Sequence, residues 1–247
     1  MTEEARAVAL KQFTGQCISK LLGGENQRSR LLSIPGARDI GFGMINGMNT
    51  SLEGLVDHTK YLHHFAPEYR FDAVYNKSNW VGVDAAECLL NFAGYSPNTV
   101  GLLQRQWNDF FLRNPDPASK CLQFCHSQGA IHTYNALTAL PQELRQRIIV
   151  VAIAPAHVIP DSLCYKSFNY AVENDIVPKL RQSIALMGET FPDEVSEGYR
   201  IVSQEQSELI MLRQLDGGMG HSFQSKSYKQ KIEDHIKEHI QCNGRYP

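Results

Sequence analysis

Short apolar runs alternate with amphipathic stretches along the chain, which is the pattern of strands that alternate with helices. The strongest run, residues 147–154, is uninterrupted and rich in β-branched side chains. It predicts a strand that is buried on both faces of a parallel sheet. Shorter runs predict further strands at residues 41–46, 71–75, 121–125 and 167–172. The last two runs, residues 199–202 and 209–212, predict either a hairpin or one interrupted strand.

Helical periodicity fills the stretches between these runs. It predicts helices over residues 3–22, about 51–65, about 82–113 with a new start at Ser96-Pro97, a stretch ending near residue 140, about 179–187 and about 223–241. No repeat, low-complexity segment or long linker divides the chain. We therefore predict a single α/β domain over residues 1–247, built as a three-layer α/β/α sandwich with a mostly parallel central sheet. Residues 1–40 are expected to be an N-terminal helical extension that ends in a polar linker.

Composition and charge narrow the functional class. Hydrophobic residues make up 43% of the chain, charged residues make up 20%, and the net charge is −2, so there is no electrostatic case for a nucleic-acid partner. No apolar run approaches the ~18–20 residues of a membrane span, and the acidic N-terminus lacks the apolar core of a signal peptide. The six cysteines are scattered without C-x-x-C spacing, which favours free thiols and a cytoplasmic location.

The sequence offers no motif for a cofactor or a metal ion, and we expect neither. The nearest approach to a metal site is the pair His235 and His239, which lie four residues apart on the last predicted helix. Because neither a third ligand nor H-E-x-x-H spacing accompanies them, we interpret them as part of a solvated helix face.

The predicted strand at residues 121–125 ends abruptly in Cys125-His-Ser-Gln-Gly129, just before a helix. This spacing corresponds to the nucleophile elbow G-x-S-x-G, in which small residues on both sides of the serine permit a very tight strand-to-helix turn. Gly129 meets that requirement, and Cys125 stands where the motif has its first glycine. Ser127 is therefore the candidate nucleophile, and the alternative is an ordinary helix N-cap serine.

A serine hydroxyl needs a neighbouring base to become a nucleophile at neutral pH. His221 lies in the glycine-rich loop after the last predicted strand, in a place from which it can fold back over the sheet edge to the serine. It is our candidate base. His132 and His157 are the alternatives, although neither follows the final strand.

The acid that orients this histidine should follow a strand between the serine and the histidine. Asp175, just after the strand at residues 167–172, fits best, because a buried carboxylate there would accept the imidazole N–H and fix its tautomer. Asp161 is the second choice, and Asp216 is too close to His221 in sequence to be preferred.

Two backbone amides are also needed to stabilise the developing oxyanion. The first candidate is the amide of Gln128, directly after the nucleophile. The second lies in the turn that follows the strand at residues 41–46, where we choose Met48 with Gly47 as the alternative. Asn46, at the start of this turn, is expected to brace it through its side chain.

Together these segments resemble those of the α/β-hydrolases of the lipase and esterase kind, from about residue 41 to about residue 239. The order Ser127, Asp175, His221 is the order found in that family, and Asn46-Gly47 stands where lipases often have His-Gly. The segments at residues 45–50 and 74–76 also resemble an uncharacterised chlamydial protein family, a resemblance that carries no known activity. Because only about a dozen residues separate two strands where many lipases insert a lid, the α/β-hydrolase resemblance implies a fold without a large cap domain.

These observations lead to one function and two alternatives. The chain is interpreted as a serine hydrolase that cleaves a small-molecule or lipid ester, or a thioester, through an acyl-enzyme on Ser127. The alternatives are an acyltransferase with the same triad and a catalytically inactive, hydrolase-like protein that binds a partner. The sequence does not specify the oligomeric state.

Overall fold

Seven strands form one sheet at the centre of the computed structural model, which describes residues 28–77, 96–175, 177, 209–216 and 220–246. The strands are β1 (Arg30–Ile34), β2 (Arg38–Ile45), β3 (Tyr69–Tyr75), β4 (Cys121–His126), β5 (Ile148–Ile153), β6 (Lys166–Val172) and β7 (Leu209–Leu212). The helices are α1 (Leu52–Phe65), α2 (Pro97–Arg113), α3 (Gly129–Thr138), α4 (Gln142–Arg145) and α5 (Lys226–Gln241), with a 3-10 turn at Asp161–Leu163.

The strand order is β1-β3-β2-β4-β5-β6-β7. Among these seven described strands, only β1 runs antiparallel to its neighbour, and every other pairing is parallel. The carboxyl ends of β2 to β7 therefore meet at one edge of the sheet, which is where ligands bind in open parallel sheets. The predicted α/β class with a mostly parallel sheet is confirmed.

Both faces of the sheet are covered, as the apolar run in β5 predicts. Alternate side chains of this strand enter two separate cores, with Ile149, Val151 and Ile153 in one and Ile148, Val150 and Ala152 in the other. Helices α1 and α5 contribute to the first core, and α2 and α3 contribute to the second. This is the three-layer sandwich expected from the sequence.

The helix starts follow local sequence signals. Ser51 caps α1 by accepting a hydrogen bond from the Gly54 amide at 3.0 Å. Ser96 caps α2 in the same way through the Thr99 amide, and Pro97 occupies the first turn, where its missing N–H costs nothing.

A buried amide cluster lies between α2 and the middle of the sheet. The side-chain oxygen of Gln123, on β4, accepts hydrogen bonds from Gln106 Nε2 and Trp107 Nε1, each at 2.9 Å. Room for this cluster exists because the neighbouring residue on β2 is Gly43, where a Cβ would lie 2.1 Å from Gln106 Nε2. The cluster satisfies the side-chain oxygen of Gln123 inside an otherwise apolar layer, and the Gln123 nitrogen donates to the Phe124 carbonyl.

Two sequence predictions are wrong within the described residues. The polar linker expected before residue 41 contains β1 at Arg30–Ile34, so the predicted helical extension does not reach residue 40. Its short apolar core, Leu31 and Leu32, was too brief to give a strand pattern, and pairing with β3 supplies the order. The predicted helices at residues 3–22, 82–95 and 179–187 and the strand at 199–202 lie outside the described residues.

The second correction concerns His235 and His239, which are buried rather than solvated. His239 Nε2 lies 2.8 Å from the Ile40 carbonyl oxygen, so it donates to that oxygen, and His235 Nε2 lies 2.9 Å from the Tyr170 hydroxyl. These contacts join α5 to β2 and β6.

Burial lowers the pKa of His132, His235 and His239 to about 4. The unfolded chain binds these protons from about pH 6.5 downward, whereas the folded protein does not bind them until the pH nears 4. Their neutral forms therefore contribute stability that is complete above about pH 6.5 and is lost as the pH falls.

We predict that the free energy of unfolding falls between pH 7 and pH 5, with each proton bound only by the unfolded chain adding ~1.4 kcal/mol per pH unit to the slope. Urea denaturation at several pH values measures this slope. The variant His239→Gln keeps a donor for Ile40 but does not titrate, so its slope should be smaller. A free energy that is constant from pH 7 to pH 5 would contradict the prediction.

Candidate active site

Ser127 occupies a sharp turn between β4 and α3, with a positive φ of 51°. That conformation is unfavourable for a residue with a side chain, so the surroundings must impose it. Two backbone hydrogen bonds do so. The Ser127 amide donates to the Ile153 carbonyl at 3.2 Å, and the Ser127 carbonyl accepts from the Ala156 amide at 3.1 Å. The turn is thereby tied to the end of β5.

The elbow also needs close approach by neighbouring backbone, and two glycines allow it. A Cβ at Gly129 would lie 2.8 Å from the Asn46 carbonyl oxygen, and a Cβ at Gly47 would lie 2.7 Å from Ser127 Cβ. Both distances are shorter than real Cβ contacts. The turn at residues 46–48 and the elbow therefore lie directly against each other.

His221 and Asp175 lie beside this serine in one hydrogen-bonded chain. Ser127 Oγ is 2.9 Å from His221 Nε2, and His221 Nδ1 is 3.0 Å from both carboxylate oxygens of Asp175. Asp175 is fully buried, and its Oδ1 also accepts a hydrogen bond from the Val177 amide at 2.9 Å. The three residues chosen from the sequence are thus brought together, with the carboxylate placed to hold the N–H on Nδ1.

His126, within the elbow, supports the backbone of His221. Its Nε2 lies 2.7 Å from the His221 carbonyl oxygen, and because a carbonyl only accepts, the proton must be on Nε2. Burial, followed by the nearby His221, lowers the pKa of His126 to about 3, so the ring is neutral. The sequence alone does not reveal this partner.

Gly220, next to His221, has a positive φ of 64°, and a Cβ there would lie 2.3 Å from the Val172 side chain. The glycine therefore lets the loop pass close to β6, so that His221 can reach Asp175.

The turn at residues 46–48 faces Ser127, and the buried side chain of Asn46 braces it. Asn46 Nδ2 donates to the Gly47 carbonyl at 2.8 Å. Among the described residues, the backbone amides of Gly47 and Gln128 have no hydrogen-bond acceptor. Met48 is half-buried in the same turn. Gln128 and either Met48 or Gly47 remain our candidates for the oxyanion hole.

The residues that the sequence offers as alternative acids or bases make other contacts. Asp161 Oδ1 accepts from the Ser167 amide at 2.7 Å, and Asp216 Oδ2 accepts from the Lys226 amide at 2.7 Å, so both carboxylates brace local turns.

Ser127 is not a helix cap, because α3 begins after Gln128 and has no side-chain cap bond. His132 is buried in α3, and the His157 ring lies 4.2 Å from that of Tyr134.

Sequence reasoning missed Asn76, a buried residue directly after β3 whose backbone bonds to the Asn46 side chain and whose own side chain bonds to Gln128. The signal available in the sequence was its place at a strand end, next to the candidate oxyanion turn. Within the described ranges, no group of three or more His, Cys, Asp or Glu residues is placed to hold a metal ion.

The sheet order, the helices on both faces and the elbow after β4 define the α/β-hydrolase fold. The connection from β5 to β6 spans only residues 154–165, so it carries no large cap. In the described part of the chain, no helix combines the length and the hydropathy needed to cross a bilayer.

Solved structures share this fold. Esterase PE8 matches with a TM-score of 0.54 and 15% identity over 85% of this chain and 99% of its own. EstE1, a thermophilic and thermostable carboxylesterase cloned from a metagenomic library, matches with a TM-score of 0.51 and 11% identity over 99% of this chain and 98% of its own. Comparisons with family models and with curated protein sequences gave no match.

We predict that Gly129→Ala destabilises the protein by roughly 1–3 kcal/mol, because its Cβ would press on the backbone oxygens of Ile45 and Asn46. Gly101→Ala is the matched control. It lies on an exposed position of α2 where a Cβ meets nothing within 4 Å, and it should stabilise the helix by about 0.5–1 kcal/mol. Urea denaturation of both variants measures the difference, and equal stabilities would contradict this account of the elbow.

Proposed function

We propose that this protein is a serine hydrolase that cleaves carboxylic esters or thioesters through an acyl-enzyme intermediate. The observation that carries the proposal is the chain of hydrogen bonds from Ser127 through His221 to Asp175, at the carboxyl edge of the sheet. The amide of Gln128, next in sequence to the serine, has no acceptor among the residues that the structure describes, which supports the proposal further. Metal chemistry has no part in this proposal.

The proposed reaction begins when Ser127 Oγ attacks the substrate carbonyl carbon and its proton passes to His221 Nε2. Asp175 stabilises the imidazolium that forms, because its buried carboxylate faces Nδ1. The carbonyl oxygen becomes an oxyanion, which accepts hydrogen bonds from the amides of Gln128 and of Met48 or Gly47. The intermediate then collapses, and the leaving alkoxide or thiolate takes the proton from Nε2.

Water completes the cycle in the proposed hydrolysis. His221 removes a proton from water, the resulting hydroxide attacks the acyl carbon, and Ser127 recovers its proton as the carboxylic acid leaves. About 29% of the His221 side chain is exposed, so solvent can reach the base. The proposed substrates are small-molecule or lipid esters, and the exposure of His221 favours water as the acceptor.

The state of the cysteine thiols is relevant to the proposed cytoplasmic location. The described cysteines are free, and burial raises the pKa of Cys125 to about 12, so its thiol stays neutral beside the elbow. Free thiols support the cytoplasmic location expected from the sequence.

We predict that a fluorophosphonate probe labels the wild-type protein at Ser127, because the probe reacts with an activated serine. Ser127→Ala should abolish labelling, and Asp175→Asn should slow it by about 10³–10⁴-fold, because the amide no longer fixes the correct tautomer of His221. Asp161→Asn is the matched control and should stay within about twofold of wild type. The rate of labelling, followed by peptide mapping of the adduct, measures all of these effects.

A wild-type protein that is folded but not labelled would contradict the proposal and favour the inactive partner-binding alternative. Turnover of p-nitrophenyl esters of increasing acyl length then reports the substrate class. Product analysis with an added alcohol or thiol separates hydrolysis from acyl transfer, because transfer gives a new ester and hydrolysis gives the free acid.

A further inference from the structure

Asn76 is a buried polar residue at the carboxyl edge of the sheet, outside the proposed triad. It follows β3 directly, and it is only 2% exposed. Since β3 neighbours β2, Asn76 lies beside Asn46, which follows β2. A buried amide is costly unless its polar atoms are bonded, so its partners indicate its role.

The backbone of Asn76 is paired with the oxyanion turn. The Asn76 amide donates to Asn46 Oδ1 at 2.8 Å, and the Asn76 carbonyl accepts from Asn46 Nδ2 at 2.9 Å. The same Asn46 Nδ2 also donates to the Gly47 carbonyl. The Asn46 side chain therefore locks the turn at residues 46–48 to the end of β3.

The side chain of Asn76 makes the connection to the elbow. Its Nδ2 donates to Gln128 Oε1 at 2.9 Å, and its Oδ1 faces the hydroxyl of buried Thr99 at 3.4 Å. The Thr99 hydroxyl, which also contacts Ser29, lies on the oxygen side of the amide, and the NH₂ group points toward Gln128. One side chain thus joins α2 to the residue that follows the nucleophile.

We infer that Asn76 is a positioning residue, which sets the separation between the amide of Gln128 and the amides of the turn at residues 46–48. This inference rests on the proposed function, because those amides form the proposed oxyanion hole. Asn76 does not touch the reacting atoms. It acts by holding the two halves of the hole, which come from segments 80 residues apart (48 and 128), in one fixed arrangement.

The amides of the oxyanion hole act mainly in the transition state, and this explains why their positioning affects the reaction rate. Oxyanion donors stabilise the transition state more than the bound substrate, and they are effective only when they are already aligned. Loss of the Asn76–Gln128 hydrogen bond frees Gln128 to shift relative to the turn. The effect should therefore fall on kcat and leave KM nearly unchanged.

The test compares Asn76→Leu, which keeps the branched shape of the side chain but cannot form hydrogen bonds, with Gln128→Leu, which breaks the same hydrogen bond at a half-buried position and keeps the backbone amide. We expect each to lower kcat for a p-nitrophenyl ester by about 10–100-fold, less than the ~10²–10³-fold of losing a donor outright. The double variant should lose little more than either single one, since both remove one interaction.

A second readout separates positioning from general destabilisation. Phenylboronic acid forms a tetrahedral adduct with an active-site serine, and its inhibition constant should rise in proportion to the loss of kcat, while KM stays constant. The matched control is Gln106→Leu, a change further along α2 that removes a buried hydrogen bond from Gln106 to Gln123 on β4. It should lower stability but leave kcat and the inhibition constant within about twofold.

The outcomes distinguish this inference from the proposed function. A labelled, active wild type with unchanged kcat and inhibition constant in folded Asn76→Leu or Gln128→Leu overturns the inference alone. An unlabelled wild type overturns both. If Asn76→Leu does not fold, Gln128→Leu and its labelling rate decide, because the phosphonyl oxygen of the probe adduct occupies the same hole.

Discussion

The arrangement of the site depends on one strained turn. The positive φ of Ser127 is held by two hydrogen bonds, from its amide to Ile153 at the end of β5 and from Ala156, just after β5, to its carbonyl; β5 is the most deeply buried strand of the sheet. The energy that maintains this conformation therefore comes from the packed cores on both faces of the sheet, not from the five residues of the elbow. The same turn presents the hydroxyl to His221, and within the described ranges the next amide, that of Gln128, has no acceptor.

The parallel strands bring the other residues of the site to this turn. Because β2, β3, β4 and β6 end at the same edge, the residues that follow them meet although they are far apart in sequence. Asn46, Asn76, Ser127 and Asp175 all occupy such positions. His221 does not directly follow a strand. It lies on a loop that passes close to Val172, and this close approach requires Gly220. The backbone of His221 is then held by His126.

The sequence predicts those features of the fold and site that follow from hydrophobic periodicity and from the positions of strand ends. The apolar run of β5 specified a doubly covered strand, and the rule that ligands bind at strand ends identified Ser127, Asp175 and His221, which the structure brings together. Periodicity could not show which polar residues are buried. His239 has the pattern of a solvated helix position, yet the Ile40 carbonyl needs its donor. Similarly, the partners of Asn76 lie 30 and 52 residues away, so only the tertiary structure reveals them.

The cysteine at the first position of the elbow shows the same difference between what the sequence predicts and what the tertiary structure reveals. Strand alternation directs Cys125 into the core with α2 and α3, where it pairs across the sheet with Ile45 and Ala152. Its side chain therefore occupies packed core volume, and the close backbone approach falls on Gly129 and Gly47 instead. A motif that requires glycine on both sides of the serine thus describes two different constraints. The constraint after the serine is one of backbone contact, whereas the one before it is satisfied by any side chain small enough for the core beside Ala152.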